Sequence, residues 1–275
     1  YPMAGIQIAF KNYSATKGIW GSDWIGLRHF ETFLNSYQFK RVIVNTLRIS
    51  LYSLATFPLS IIFALFLNVI RNVRVKQFIQ TVTYIPHFFS VMVIVGILFQ
   101  VFSPVAGIYA YIYRLFNTDF YPKDIFANAD AFTHLYIWSG VWQGLGWSSI
   151  IYIAALSSVS VELHEAAEID GASRFKRIIH VDLPAILPTA AIMLILRSGS
   201  IMSVGYEKVY LMQNALNLVK SEVISTYIYK VGLSSATSFS YGTAIGLFNS
   251  IINLSMLVLV NRLSRKLSSE GTSLW

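Results

Sequence analysis

The residues best able to do chemistry lie in one charged stretch, ELHEAAEIDGASRFKRIIHVDLP, residues 162–184, inside an otherwise apolar chain. Glu162, Glu165 and Glu168 recur every three residues, so they project from neighbouring positions of a short helix. His164 to Glu168 reads HEAAE, one residue short of the HExxH zinc signature. That signature needs a second imidazole one helical turn later to bind the metal. Position 168 is Glu, and His180 lies beyond a glycine at no recognised ligand spacing. An intramembrane metalloenzyme using His164 and Glu165 is a minor alternative, and no catalytic residue or metal ligand is assigned. The chain also lacks a G-x-x-x-x-G-K-[ST] phosphate loop, so it should not bind and hydrolyse ATP itself.

The same stretch has the order of charges that a helix pair favours. Acids come first; Arg174, Lys176 and Arg177 follow, matching the preference for acids in a first turn and bases in a last turn. Gly171 divides them, where a left-handed C-terminal cap needs a residue without Cβ. The pattern predicts a helix, a glycine turn, a second amphipathic helix, and then Pro184 as an apolar span begins. Leu163, Ala166, Ala167 and Ile169 give the first helix an apolar face to bury, as a docking element requires. The competing reading is an interfacial helix that links two spans and rests among headgroups.

The chain around this stretch has 275 residues, 55% hydrophobic and 12% charged, with a net charge of +8. Soluble domains carry about 25% charged residues, and the mean hydropathy here is +0.57. Five runs are long enough for a bilayer core, which takes about 20 apolar residues per helix: residues 47–70, 78–102, 134–159, 183–204 and 243–263. The expected fold is an all-α integral membrane protein, a polytopic helical bundle. Residue 1 is Tyr, and the opening YPMAGIQIAF reads as the end of a further span of a longer chain. The expected organisation is therefore five complete spans plus the remnant of a sixth. Residues 1–46 form the end of the first helix and an outer loop, 47–263 the transmembrane domain, and 264–275 a cytoplasmic tail.

Orientation follows from basic residues in short loops, which mark the cytoplasm. Arg71, Arg74 and Lys76, then Arg174, Lys176 and Arg177, then Arg262, Arg265 and Lys266 fall on one side if the spans alternate. Segments 11–46, 103–133 and 205–242 fall on the other, and 103–133 is long enough to dock a partner. There is no cysteine, hence neither a disulfide nor a thiolate metal site.

Ionisable residues within spans are costly and are functional candidates by default. Arg197, in IMLILRSGSIM, either lines an aqueous path, where it could hold a carboxylate bidentately, or pairs near a helix end. Trp138, Trp142 and Trp147 stand with Gln143 among Gly140, Gly144 and Gly146. Rings and an amide of this kind can stack on sugar faces and bond hydroxyls; small residues and tryptophans also mark helix packing and membrane interfaces. Glu207 lies just past the fourth span, free to face a cavity or a partner, or to form a surface ion pair with Lys208. His87 is polar lining or a packed histidine.

Glu165-Ala166-Ala167, then Gly171, Val181 and Leu183-Pro184, resembles the EAA motif of ABC-importer permeases. Val181 stands where isoleucine is usual. WQGLGWSSIIYIAALSSVSVELHEAAEIDGA, VGYEKVYLMQN, EVISTYIYKVGL and YGTAIGLFNSIIN are similar to the LplB-type permeases of oligosaccharide and polysaccharide importers, and the resemblance covers essentially the whole chain. It implies the type I importer permease fold, in a bacterial cytoplasmic (inner) membrane, with residues 162–180 as coupling helices seated in a groove of a cytoplasmic ATPase. Glu165 would contact that ATPase, Ala166 and Ala167 would permit close approach, Gly171 would make the turn, and Asp170 and Arg174 would complete the facing set. The implied partners are a second homologous permease, two ATPase subunits, an extracytoplasmic sugar-binding protein, the sugar and membrane lipid, with no nucleic acid. ATP and Mg would be bound by the ATPase subunits, leaving no cofactor in this chain. An acidic, uronate-containing sugar would suit Arg197; a non-sugar solute is the alternative.

Overall fold

The chain forms helices along its apolar runs, and these end or bend where proline or a capping side chain intervenes. The computed structural model describes residues 2–116, 122–234 and 238–267. A 3-10 helix, Pro2–Phe10, leads into a short antiparallel ribbon, β1 (Lys11–Asn12) with β2 (Asp23–Trp24), in which Lys11 faces Trp24. The opening expected to be α-helical is thus 3-10; Pro2 and Gly5 are both poor α-helix formers.

The first span, Tyr37–Val69, joins α1 (Tyr37–Ala55) to α2 (Pro58–Val69) and begins well before the expected residue 47. Pro58 has no N–H to continue the α1 ladder but suits the first turn of α2, so the chain tightens at Thr56–Phe57. Asn72 starts α3 (Val73–Tyr84) by accepting the Arg74 and Val75 N–H groups at 3.0 and 3.3 Å. Pro86 lies in the 3-10 turn Ile85–Phe88, after which α4 (Val91–Val101) departs at 104°. The single span expected over 78–102 is therefore a sharply bent pair.

A second bent pair, at 73°, joins α5 (Ala129–Ser157) to α6 (Val161–Ile169). After Gly171, α7 (Arg174–Arg177), a π turn (Ile178–Asp182) and α8 (Leu183–Ser198) run on as one 25-residue span. The fourth span thus begins before the expected residue 183. The π turn ends just before Pro184, at the first turn of α8, where the missing proline N–H is tolerated; Pro188 lies further inside the same helix. The remaining principal helices are α9 (Tyr206–Met212), α10 (Ile224–Tyr229) and α11 (Phe239–Leu267). The expected tail 264–275 is helical to Leu267, and the rest of it lies outside the described residues, as does 117–121 of the 103–133 segment.

Among the described residues, three helices are long and apolar enough to cross a membrane, and up to five spans result if each bent pair is one. Their apolar windows are only 22%, 22% and 11% buried within the protein. So much outward-facing apolar surface needs lipid or another subunit against it.

The chain divides into two compact units. One comprises residues 1–51, 91–136 and 200–256, with a core of Phe33, Val42, Met202, Ile224, Tyr227 and Ile245. Its buried polar groups are paired across long sequence separations. Asn45 donates to the Val219 and Glu222 carbonyls at 2.9 and 3.0 Å, and the buried Glu222 carboxylate takes Arg41 and Lys230. The other comprises residues 52–90, 137–199 and 257–275, with Ala64, Leu65, Tyr152, Leu156, Ile186 and Ala190 at its core. Gly146 is required there: a Cβ at that position would lie 2.4 Å from the Thr83 carbonyl oxygen. It fits the packing reading of the span's small residues.

Candidate functional site

The EAA stretch folds as its charge order predicts. Ser160 caps α6 by accepting the Glu162 N–H at 3.2 Å. At the other end, Gly171 takes φ +75°, while its N–H bonds the Glu168 carbonyl at 3.0 Å and the Ala172 N–H bonds that of Ala167 at 2.9 Å. This left-handed cap satisfies carbonyls that the helix end would otherwise leave open. Ser173 then caps α7 through the Lys176 N–H, and Arg177 returns to Glu168 at 3.0 Å, tying the two helices together.

Glu165, Ala166, Asp170 and Arg174 are exposed, and Ala167 is half-buried. Leu163 and Ile169, two of the apolar residues expected to form a docking face, are 56% and 87% exposed, and Phe175, which the sequence reading did not single out, is 70% exposed. Among the described residues the element has nothing to bury them against. His164 Nε2 faces Asp182 Oδ1 at 3.3 Å, and Asn68 donates to the same oxygen at 3.3 Å, so the EAA helix is fixed both to the π turn and to the end of α2. Among the described residues no three His, Asp or Glu side chains converge as a metal site would require. Sequence reading missed the Asp182 contact, since nothing local marks a pair 18 residues apart across a glycine turn.

The candidate path residues separate into two groups. Arg197 on α8 donates to the Ser53 carbonyl at 2.8 Å and to its hydroxyl at 2.9 Å, and lies 5.9 Å from the Phe57 ring. Its expected helix-end partner is thus the last turn of α1. Trp138 donates its indole N–H to the adjacent Tyr52 hydroxyl at 2.9 Å. Consecutive residues of α1 therefore hold side chains from α5 and α8. Trp142 follows Trp138 by one turn, and the two are 45% and 52% exposed. Gln143 donates to the Phe89 carbonyl at 3.3 Å, beside the bend between α3 and α4. Trp147 stacks on His87 at 4.4 Å, which gives that histidine a packed place.

Glu207 belongs to the other unit and is exposed on α9. The surface pairing with Lys208 does not form. Lys208 is 8% exposed, donates to the Tyr136 carbonyl at 3.2 Å and lies 5.0 Å from that ring. Burial lowers its pKa to about 8. Beside it, Tyr206, Tyr210 and Tyr229 form a ring cluster with centroids 5.0–5.9 Å apart. The one-turn spacing of Tyr206 and Tyr210 was a signal for that cluster that sequence reading did not use.

Outward-apolar helices interrupted by a capped, charged helix pair are those of a polytopic membrane protein, and its class follows from its family. The chain belongs to the family described as binding-protein-dependent transport system inner membrane component, which matches residues 39–269. It is similar to Protein LplB of Bacillus subtilis (strain 168), 38% identical over 98% of this chain and 84% of that one. It is 39% identical, over the same shares, to the polygalacturonan/rhamnogalacturonan transport system permease protein YteP of the same organism. Among solved structures it superposes, with a TM-score of 0.89 at 35% identity, on a chain from a bacterial ABC transporter involved in the import of the acidic polysaccharide alginate, covering 98% of this chain and 90% of that one. The fold is that of a type I ABC permease and the place of action is the inner membrane; the family is a transport family and not an enzymatic one.

Proposed function

We propose that this chain is one permease of an ATP-driven importer of oligosaccharides or polysaccharide fragments, with uronate-containing sugars as its substrate class. The observation that carries the reading is the EAA element: a helix pair capped at both ends, cross-tied, and showing unpartnered Leu163, Ile169 and Phe175. Such an element is built to be held by another protein. Glu165, Ala166, Ala167, Asp170, Gly171 and Arg174 are its contact and turn residues towards the ATPase. Two ATPase subunits bind ATP and Mg, a second permease completes the path, and an extracytoplasmic binding protein delivers the sugar. ATP-driven movement of the docked element shifts the permeases between two states, and the sugar passes between them.

An acidic substrate is supported by the relatives, one named for polygalacturonan and rhamnogalacturonan and one for alginate. In one unit, exposed Trp138 and Trp142 supply faces on which sugar rings stack, with Gln143 beside them as a polar contact, and Arg197 is the candidate cation if its guanidinium exchanges its Ser53 bonds for a sugar carboxylate. Glu207, in the other unit, is a separate polar candidate. The test is ATP hydrolysis by the assembled transporter in proteoliposomes, with its binding protein and oligogalacturonides. Stimulation by the uronate oligomers, and none by neutral oligomers of equal length, is expected. Equal stimulation by both would remove the acidic substrate class, and stimulation only by a non-sugar solute would overturn the sugar reading.

A further inference from the structure

Beside the EAA helix is a pocket of about 190 Å³, lined by Arg71, Arg174, Arg177, His164, Asn68 and Asp182 among others. Its charges are unbalanced. Asp182 is the one carboxylate in the lining, and its side chain is 5% exposed and already takes Asn68 and His164. Of the three guanidiniums, Arg177 is paired with Glu168, whereas Arg71 and Arg174 have no acidic partner among the described residues. Guanidiniums from the end of α2 and from α7 meet at one cavity whose net charge is positive; Arg71 and Arg174 are exposed, so an anion would compete there with water. The planar fork of arginine matches phosphate oxygens, and its charge persists at any working pH.

We propose that this pocket binds a phosphate group. It rests on the reading above for the side of the membrane only. Arg71 comes two residues after the end of the first span, at the level where anionic headgroups gather on the cytoplasmic leaflet. The same chemistry would accept a soluble phosphate. The consequence is a ligand that braces the end of α2 against α6 and α7, with Arg174 shared between this pocket and the proposed ATPase contacts.

The test uses the assembled transporter in nanodiscs of phosphatidylcholine, with and without phosphatidylglycerol, and with inorganic phosphate or chloride at equal ionic strength. Thermal unfolding and native mass spectrometry of retained lipid are read for wild type and Arg71→Gln. Arg71 is outside the proposed ATPase contacts. Phosphatidylglycerol is expected to raise the wild-type midpoint and co-purify with it, and Arg71→Gln to weaken retention about tenfold, as loss of a charged hydrogen bond implies. A shift with inorganic phosphate in phosphatidylcholine alone would identify the soluble source. No phosphate- or lipid-dependent shift, or an equal shift in Arg71→Gln, would overturn the site. ATPase retention in the same samples is a separate readout: its loss with the shift intact would count against the docking reading and leave the phosphate site standing.

Discussion

Lys208 shows how much one side chain's direction matters. Beside Glu207 in sequence it reads as half of a surface pair. Consecutive helical residues point in different directions, so Glu207 faces out while Lys208 is buried over the Tyr136 ring. Burial disfavours its charged form and brings its pKa from 10.5 to about 8. Below pH 8 the folded protein carries the full penalty of a buried ammonium. Between about 8 and 10.5 the folded state has released a proton that the unfolded state still binds, so stability rises with pH. Relative to Lys208→Met, the wild-type unfolding midpoint should climb across that window. A difference that stays flat from pH 7 to 10.5 would show that Lys208 is not buried in this way. Arg197 was legible as a costly intramembrane charge, but its bond to Ser53 was not, because the partner lies on a helix 144 residues away in sequence.

At the scale of elements, the EAA pair was the most legible part. Glutamates at three-residue spacing, a glycine and following bases specified helix, turn and helix from local rules alone. The π turn was not legible, since Pro184 reads as a helix start and nothing in the local sequence marks a helix already under way before it. Leu163 and Ile169 were read as an apolar face for docking and are exposed in this chain, whereas Phe175 was not singled out; periodicity marks an apolar face without saying which molecule covers it. Two substitutions probe the caps. Gly171→Ala must place a Cβ at φ +75°, at a cost of about 1–2 kcal/mol. Ser160→Ala removes the N-cap, at about 1 kcal/mol. Each should speed amide exchange across residues 161–172 by roughly fivefold or more, measured by hydrogen exchange and mass spectrometry. Unchanged exchange in both would mean that the caps do not hold the element.

Over the whole molecule, five apolar runs were legible. Among the described residues three helices are long and apolar enough to cross a membrane, up to five with the bent pairs, of which the α5 pair crosses through α5 alone if α6 is the cytoplasmic element. The bends at 104° and 73° were not legible, since hydropathy records apolar length and not direction. The division into two units was hidden for a related reason: each unit is assembled from three stretches far apart in the chain, and no linker marks the border. The outward-apolar spans need lipid or another subunit against them, and under the proposed function the exposed EAA face is covered by the ATPase.

The most direct measurement is what co-purifies with a tagged copy of this chain from its native membrane after mild solubilisation. Wild type is compared with a Glu165→Ala, Gly171→Pro variant, since proline cannot adopt φ +75°. The account predicts that wild type retains a second permease and an ATPase, and that the variant keeps the permease while losing the ATPase. An ATPase bound to the variant as fully as to wild type, with the permease pair intact, would contradict the assignment of the EAA element as the place where ATP-driven movement enters.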